Sequence, residues 1–337
     1  MNNITLSEDF RGNLLVKQGG KIIIESAQGY ADLANKRLNN KETRFASASA
    51  GKVFVAVGIL KLVEKGRLNF SETLGQLLPI DLHQIEPEVT VEQLLTHTSG
   101  VPDYFDEQVM DEYEQLWTDF PNYKIRKNSD LLPLIIDKPM QYPKGTKFSY
   151  NNSGFVLLAL IIEQITQKPF DSYLEEVIFK PCQMNSTGYF ELDRLPSNCA
   201  NNYIYCESTD SYRTNIYSVD AKGTGAGGAF ITTADISKFW DALLHHRLLS
   251  KEMTEQMFQI HSEDGEGSYY GYGIWIHKDK NNSENILYFQ GQDPRVSFIS
   301  EYNPMNNIQI ILVSNFGDNV WREIKKIREA IKEERTR

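Results

Sequence analysis

The sequence predicts an α/β sandwich in which one antiparallel sheet is assembled from both ends of the chain and is flanked by helices. Three observations support this prediction. Short apolar runs separated by turn residues occur near the N-terminus, helical apolar spacing dominates the middle, and β-rich segments return toward the C-terminus. We therefore expect a sheet domain of residues 1–70 and 210–337, an inserted and mostly helical domain of residues 71–209, and a functional site between them.

The first elements are a β-hairpin and a buried helix. The apolar runs Asn13–Lys17 and Lys21–Ser26 are separated by a Gly-Gly pair, which is typical of a hairpin turn. From Ala50 to Glu64 apolar residues recur at helical spacing, and Gly66 follows where a C-terminal cap is expected.

The middle and the end of the chain differ in their patterns. Residues 71–190 mix helical spacing with turn clusters such as Pro143-Lys144-Gly145, which indicates helices joined by long loops. A charged helix is expected from Asp318 to about Glu334. Four β-rich segments joined by short turns precede it: Gly271–His277, Ile286–Phe289, Val296–Tyr302 and Ile308–Ser314.

Composition excludes several classes of function. The formal net charge of -10 disfavours nucleic acid and anionic membrane as partners, because both attract basic surfaces. The three cysteines lack the paired spacing of a zinc site and are expected to be free thiols, and we expect neither a metal nor a cofactor. Glu8 and Asp9 interrupt a start that has no apolar stretch, so we expect no signal peptide and a cytoplasmic protein.

A candidate nucleophile stands where the first strands give way to the helix. In Ser49-Ala50-Gly51-Lys52 the serine and the lysine are three residues apart, and residues at this spacing share one face of a helix. A serine hydroxyl needs a base, and a lysine serves as one when its surroundings lower its pKa. The small residues between them leave room for a substrate. An ordinary helix start with a solvated lysine is the simpler alternative for this motif alone.

A second polar element is Tyr150-Asn151-Asn152, which lies in a loop just before an apolar helix. The phenol of Tyr150 can act as a base at neutral pH only if a cation such as Lys52 stabilises the phenolate. Asn152 can donate a hydrogen bond to a substrate carbonyl. For this element alone, an asparagine helix cap beside a half-buried tyrosine is the favoured interpretation.

Together these elements resemble the serine β-lactamase family of the class C type, which includes penicillin-binding carboxypeptidases, D-aminopeptidases and esterases. The resemblance covers nearly the whole chain in the same order. It extends to these further stretches: Thr43–Phe45, Leu62–Leu68, Leu94–Pro102, Met184–Gly188 and Thr232–Asp235.

The resemblance implies a role for each site residue. Ser49 would be acylated, Lys52 and Tyr150 would share the proton transfers, and Asn152 would contact the substrate amide. The oxyanion hole would use the N–H of Ser49 and a second N–H on an edge strand, which we place near Ser297.

The third element of the family, Lys-Thr-Gly or His-x-Gly on that edge strand, is altered in this chain. We match it to residues 291–298, which puts Gln292 where a cation or histidine is expected and Pro294 at the position of the glycine. Gln292 can hydrogen-bond to a substrate but cannot neutralise a carboxylate, which favours uncharged substrates. Arg295 is near enough in sequence to supply a charge.

The sequence thus predicts a serine hydrolase that acts on β-lactam-like or D-amino-acid amide substrates through an acyl-enzyme, with a small-molecule amide or ester as its partner. Two alternatives remain. A carboxylesterase could use the same Ser-Lys-Tyr site, and a ligand-binding or sensor protein could keep the fold without turnover. A Ser-His-Asp triad of Ser49, His97 and Asp103 is disfavoured, because Thr-His-Thr-Ser-Gly resembles a structural turn of the family.

Overall fold

The computed structural model describes residues 6–106, 109–110, 112–278 and 285–336. Within these ranges the strands are β1 (Gly12–Gln18), β2 (Lys21–Gln28), β3 (Tyr30–Asp32), β4 (Arg37–Leu38), β5 (Phe45–Ala46), β6 (Tyr203–Cys206), β7 (Ser211–Thr214), β8 (Phe230–Ile231), β9 (Ser262–Glu263), β10 (Tyr269–Tyr270), β11 (Trp275–Lys278), β12 (Asn285–Asp293), β13 (Val296–Asn303) and β14 (Ile308–Ser314). The α-helices are α1 (Lys52–Glu64), α2 (Leu74–Leu77), α3 (Val91–Leu95), α4 (Asn152–Thr166), α5 (Phe170–Leu174), α6 (Thr233–Leu244), α7 (Lys251–Met257) and α8 (Val320–Thr336). Short 3-10 turns include Ala48–Gly51 and Tyr113–Trp117.

The main sheet joins the two ends of the chain. In the described residues it has eight strands in the order β2-β1-β14-β13-β12-β11-β10-β9, and every neighbouring pair is antiparallel. The N-terminal hairpin reaches the C-terminal strands through β1, whose Leu15 lies opposite Ile311 of β14. The predicted hairpin, the return of β-structure and the sheet built from both termini are therefore confirmed.

The two faces of the sheet are covered by different helices. On β1 and β14 the side chains alternate, since successive residues of a strand point to opposite faces. Leu14 and Ile310 join Ile324 of α8 in one core, whereas Leu15 and Ile311 join the larger core with Trp240 of α6. The predicted α/β sandwich follows from this alternation.

The central helix α1 lies inside the larger core. Its residues from Lys52 to Leu60 are all buried, and Gly58 lets α5 approach so closely that a Cβ there would lie 2.7 Å from Leu174 Cδ2. Burial on every side explains the continuous apolar character of α1. It also means that a charged side chain on this helix needs partners inside the protein.

Residues 71–190 are mostly helical turns and loops, as predicted, with α4 as their longest element. The division into two domains stays a prediction. Among the described residues, no helix combines the length and the hydropathy needed to cross a bilayer.

Candidate active site

The turn that carries Ser49 is fixed by backbone contacts. Ser47 N–H donates to Ala229 O at 2.8 Å, and Gly228 N–H donates to Ala48 O at 3.0 Å. Ala48 has a φ of 48°, a conformation that side chains other than glycine rarely adopt. The 3-10 turn Ala48–Gly51 then passes directly into α1. Ser49 is thus held at the first turn of a buried helix, where backbone N–H groups favour negative charge.

Lys52 is the buried cation of the site. Its side chain is only 2% exposed, and its Nζ lies 3.0 Å from Ser49 Oγ and 2.8 Å from Asn152 Oδ1. A third hydrogen bond joins Nζ to Ala226 O. The structure therefore brings together three of the residues predicted from the sequence. It also rules out an ordinary helix start with a solvated lysine, because Lys52 is buried.

The sequence did not single out Ala226. Residues 223–228 form a tight glycine-rich turn in which Thr224 N–H donates to Gly227 O at 3.0 Å. The run of small residues at 223–228 is the sequence feature that could have indicated this turn. A Cβ at Gly227 would lie 2.4 Å from Ala48 O, so only glycine lets this turn close against the serine turn.

Asn152 starts α4 and is held by a buried carboxylate. Asn151 caps this helix, since its Oδ1 accepts from Gly154 N at 2.7 Å. The carboxylate of Asp103 accepts from the Asn152 backbone N–H at 2.9 Å and from Asn152 Nδ2 at 3.2 Å. Burial raises the pKa of Asp103 to about 6, while hydrogen bonds to the start of α4 and the charge of Lys52 act in the opposite direction.

Tyr150 lies beside Lys52, with 5.0 Å between Lys52 Nζ and the centre of the phenol ring. The ring is stacked on Trp275, with the centroids 6.0 Å apart, and also contacts His97. These contacts fix the plane of the ring. The fourth predicted residue is therefore next to the Ser49, Lys52 and Asn152 group.

His97 does not form a triad with Ser49. Its φ is 56°, its Nδ1 accepts from Asn151 N–H at 3.1 Å, and its ring is surrounded by aromatic side chains. Burial, together with the charge of Lys52, lowers the pKa of His97 well below its usual range. In the described residues the partners of Asp103 are in α4 and adjoining loops, so a relay from Asp103 through His97 is not formed.

The strand beside Ser49 is β12, and its register corrects the predicted third element. A Cβ on Gly291 would lie 2.7 Å from Ser49 N and 2.4 Å from Ser47 O. Gly291 is thus the glycine that allows close approach, and Pro294 does not occupy that position. The position expected for a cation or histidine then falls on the buried Phe289, and Gln292 lies one residue beyond the glycine.

Ser297 is also misplaced by the sequence prediction. It lies on β13 between two strands, opposite Gln292 of β12 and Ser314 of β14, so its backbone belongs to the interior of the sheet. Its side chain is 2% exposed and donates to Asp318 O. By contrast, the described part of β11 pairs with β12 only as far as Tyr288, which leaves the edge open from Phe289 onward. A backbone N–H that is not paired with β11 is therefore available on β12 beyond Tyr288, and not at Ser297.

A cleft of about 810 Å³ opens in front of Ser49 and Asn152. Gln292 and Arg295 line it from the sheet side, and Asp220 lines it from the opposite loop. The carboxyl of Asp220 accepts from the hydroxyl of Tyr113 at 3.1 Å, and burial raises its pKa to about 7. The cleft is large enough for a small-molecule substrate.

This fold, with a buried Ser-x-x-Lys pair meeting a Tyr-x-Asn element at the mouth of a cleft, defines a protein of the penicillin-recognising serine class. The family model described as Beta-lactamase matches residues 11–332. The chain belongs to the beta-lactamase family, which confirms the predicted resemblance and indicates a serine hydrolase.

Two curated relatives come from Bacillus subtilis (strain 168). Penicillin-binding protein 4* is 30% identical over 309 residues, which is 87% of this chain and 66% of that protein. Putative penicillin-binding protein PbpX is 27% identical, over 92% of this chain and 72% of that protein. The chain therefore spans just under two thirds of the length of the first relative.

Two solved structures are similar to this one. The penicillin-binding protein from Bacillus halodurans is 38% identical, with a TM-score of 0.91 over 95% of this chain and 97% of that one. A D-amino acid amidase from Ochrobactrum anthropi SV3, complexed with L-phenylalanine amide, is 24% identical, with a TM-score of 0.79 over 97% of this chain and 95% of that one. At 24% identity, the comparison with the amidase shows only that the two proteins share a fold.

Proposed function

We propose that the protein hydrolyses β-lactam-like or D-amino-acid amide substrates through an acyl-enzyme on Ser49. The observation that carries this proposal is the 3.0 Å contact between Ser49 Oγ and the Nζ of Lys52, a lysine that is buried with hydrogen-bond acceptors on its other sides. Burial favours the neutral amine of a lysine, which is the form that can accept the serine proton.

The reaction has two halves. Ser49 Oγ attacks the substrate carbonyl carbon while its proton passes to the Lys52 and Tyr150 pair. The carbon–nitrogen bond then breaks, and the leaving amine takes that proton. Water attacks the resulting ester, which releases the acid and returns the proton to Ser49. Tyr150 is assigned to proton transfer because its ring is held beside Lys52 by Trp275.

The oxyanion would be held by the N–H groups of Ser49 and Gln292. Both residues line the cleft, and Gly291 brings β12 against the serine turn. Gln292 thereby contributes through its backbone, and its side chain remains available to the substrate. Asn152 is also assigned to substrate binding, because it lines the cleft.

The proposed substrate class is supported by the names of the relatives and by the residues beside Ser49. The relatives are named penicillin-binding proteins, and a fold neighbour is a D-amino acid amidase. With Phe289 at the position of the family cation, uncharged substrates remain favoured over anionic ones. A small-molecule amide as partner and a cytoplasmic location complete the proposal.

Steady-state hydrolysis tests this assignment. The native protein and Ser49→Ala are assayed with a chromogenic β-lactam, a D-phenylalanine amide and a short-chain aryl ester. Ser49-dependent turnover of either amide supports the proposal. Turnover of the ester alone supports a carboxylesterase, and turnover of none supports a ligand-binding or sensor protein. Faster hydrolysis of an anionic than of an uncharged β-lactam contradicts the predicted preference.

A further inference from the structure

The orientation of the Asn152 amide decides what the lone pair of Lys52 can do. A neutral lysine amine has two N–H donors and one lone pair. Lys52 Nζ donates to Asn152 Oδ1, 2.8 Å away, and to Ala226 O, and it lies 3.0 Å from Ser49 Oγ. If the amide were reversed, its N–H would compete with Ser49 for that lone pair.

The amide is oriented from its far side by two groups that only accept. Asn152 Nδ2 donates to Asp103 Oδ2 at 3.2 Å and to Phe105 O at 3.4 Å. A carboxylate and a carbonyl cannot donate, so they favour the amide nitrogen over the oxygen on their side. The oxygen is thereby directed toward Lys52.

Asp103 is itself held in one position. It is 5% exposed, and its other oxygen accepts from Ser153 N–H at 3.2 Å and from Ser153 Oγ at 3.3 Å. Because these donors lie at the start of α4, the helix dipole adds to their effect. Lys138 donates to the backbone carbonyl of Asp103 rather than to its carboxylate.

We propose that Asp103 is a positioning residue, which fixes the Asn152 amide so that its oxygen, and not its N–H, faces the Nζ of Lys52 beside Ser49. Asp103 acts through Asn152 and is assigned no contact with the substrate. The inference rests on the proposed function of Ser49 and Lys52, and it adds a determinant of their activity that lies behind the cleft.

Several titratable groups surround this unit. Lys52 faces Asp103 from α1, and Tyr104 and Tyr142 have pKa values that burial raises and that the charge of Asp103 raises further. Tyrosines of this kind stay neutral at physiological pH. Changes in the pH profile of acylation therefore report on Lys52 and Asp103 together with Tyr150 and His97 beside Lys52 and with Asp220 in the cleft.

The test compares the rate of Ser49 acylation by a fluorescent penicillin in three proteins, the native chain, Asp103→Asn and Asn151→Ala. Asp103→Asn replaces an obligate acceptor by a group that can also donate, so the amide of Asn152 is no longer held. We expect the second-order rate to fall about 100-fold, as for loss of a positioned base, with little change in the concentration that gives half-saturation. Asn151→Ala is the matched control, because it removes the cap of the same helix and the hydrogen bond from Asn151 Nδ2 to Val101 O, costs about 1–3 kcal/mol of stability and removes no hydrogen bond of the Asn152 amide.

The double substitution Asp103→Asn with Asn152→Asp distinguishes positioning from simple stabilisation. A carboxylate at position 152 accepts in either orientation, so acylation is expected to recover at least 10-fold over Asp103→Asn. Its charge raises the pKa of Lys52, so recovery appears with the pH profile displaced to higher pH. A purely structural role for Asp103 predicts neither change.

Several outcomes are decisive. A folded Asp103→Asn protein that is acylated at the native rate with the native pH profile overturns the inference. So does an equal loss in Asn151→Ala. If Asp103→Asn does not fold, Asp103→Ser keeps a helix-capping hydroxyl and carries the same expectation. Failure of the proposed function would look different, because the native protein would form no Ser49 adduct at all.

Discussion

Substitution of Gly291 by alanine tests the assignment of β12 as the wall of the active site. The added Cβ would lie 2.4 Å from Ser47 O and 2.7 Å from Ser49 N. A relaxed contact needs about 3.5 Å, so the strand and the serine turn must separate by roughly 1 Å. Misplacement on this scale costs about 100-fold in rate, and overpacking costs about 1–3 kcal/mol of stability.

The assay is the second-order rate of Ser49 acylation by a fluorescent penicillin and of its phosphonylation by a fluorophosphonate, measured below the melting temperatures of the native protein and both variants. Gly154→Ala is the matched control, since the nearest atoms to its added Cβ are 3.5 Å away. We expect native acylation in Gly154→Ala and a loss of about 100-fold in Gly291→Ala. Equal rates in the two variants would refute the close approach of β12 to the nucleophile.

Three further predictions follow from the site and the cleft. Lys52→Arg keeps a positive charge but has no accessible lone pair, so acylation should fall 100-fold or more, and retention of the native rate would exclude Lys52 as the base. Tyr150→Phe keeps the contact with Trp275 and loses only the hydroxyl, so we expect a loss of at least 10-fold in turnover. Tyr212→Phe, on β7 and outside the residues that line the cleft, should leave turnover unchanged. The pKa of Asp220 is raised by burial to about 7 from an ordinary 3.8, so this carboxyl lowers stability progressively as pH rises between those values. Asp220→Asn should therefore be more stable to urea than the native protein at pH 8, by about 4 kcal/mol, and similar in stability to it at pH 4. A smaller difference at pH 8 than at pH 4 would contradict this sign.

The predictions that succeeded rest on local geometry. Ser49 and Lys52 are three residues apart at the start of a helix, so the sequence itself brings their side chains together. The sheet from both termini could be predicted because strand periodicity is visible in each segment. The meeting of Asn152 with Lys52, 100 residues away, needed the resemblance to a known family.

The alignment of the third family element was wrong because it depends on tertiary register. Gln292, Pro294 and Ser297 were placed by counting along one strand, and an error of a few residues moves a side chain to another edge or face. Only the pairing of β11 with β12, which ends at Tyr288, shows where the free edge begins. Asp103 was considered only as part of a triad, because its partnership with Asn152, 49 residues away, leaves no local pattern.

The central claim is that Ser49 is the acylated nucleophile, and intact-mass spectrometry tests it most directly. The native chain and Ser49→Ala are each incubated with a fluorescent penicillin and, separately, with a fluorophosphonate. We expect a single covalent adduct on the native chain with at least one of the two probes, and no adduct on Ser49→Ala. An unmodified native chain with both probes, or equal labelling of Ser49→Ala, would contradict it.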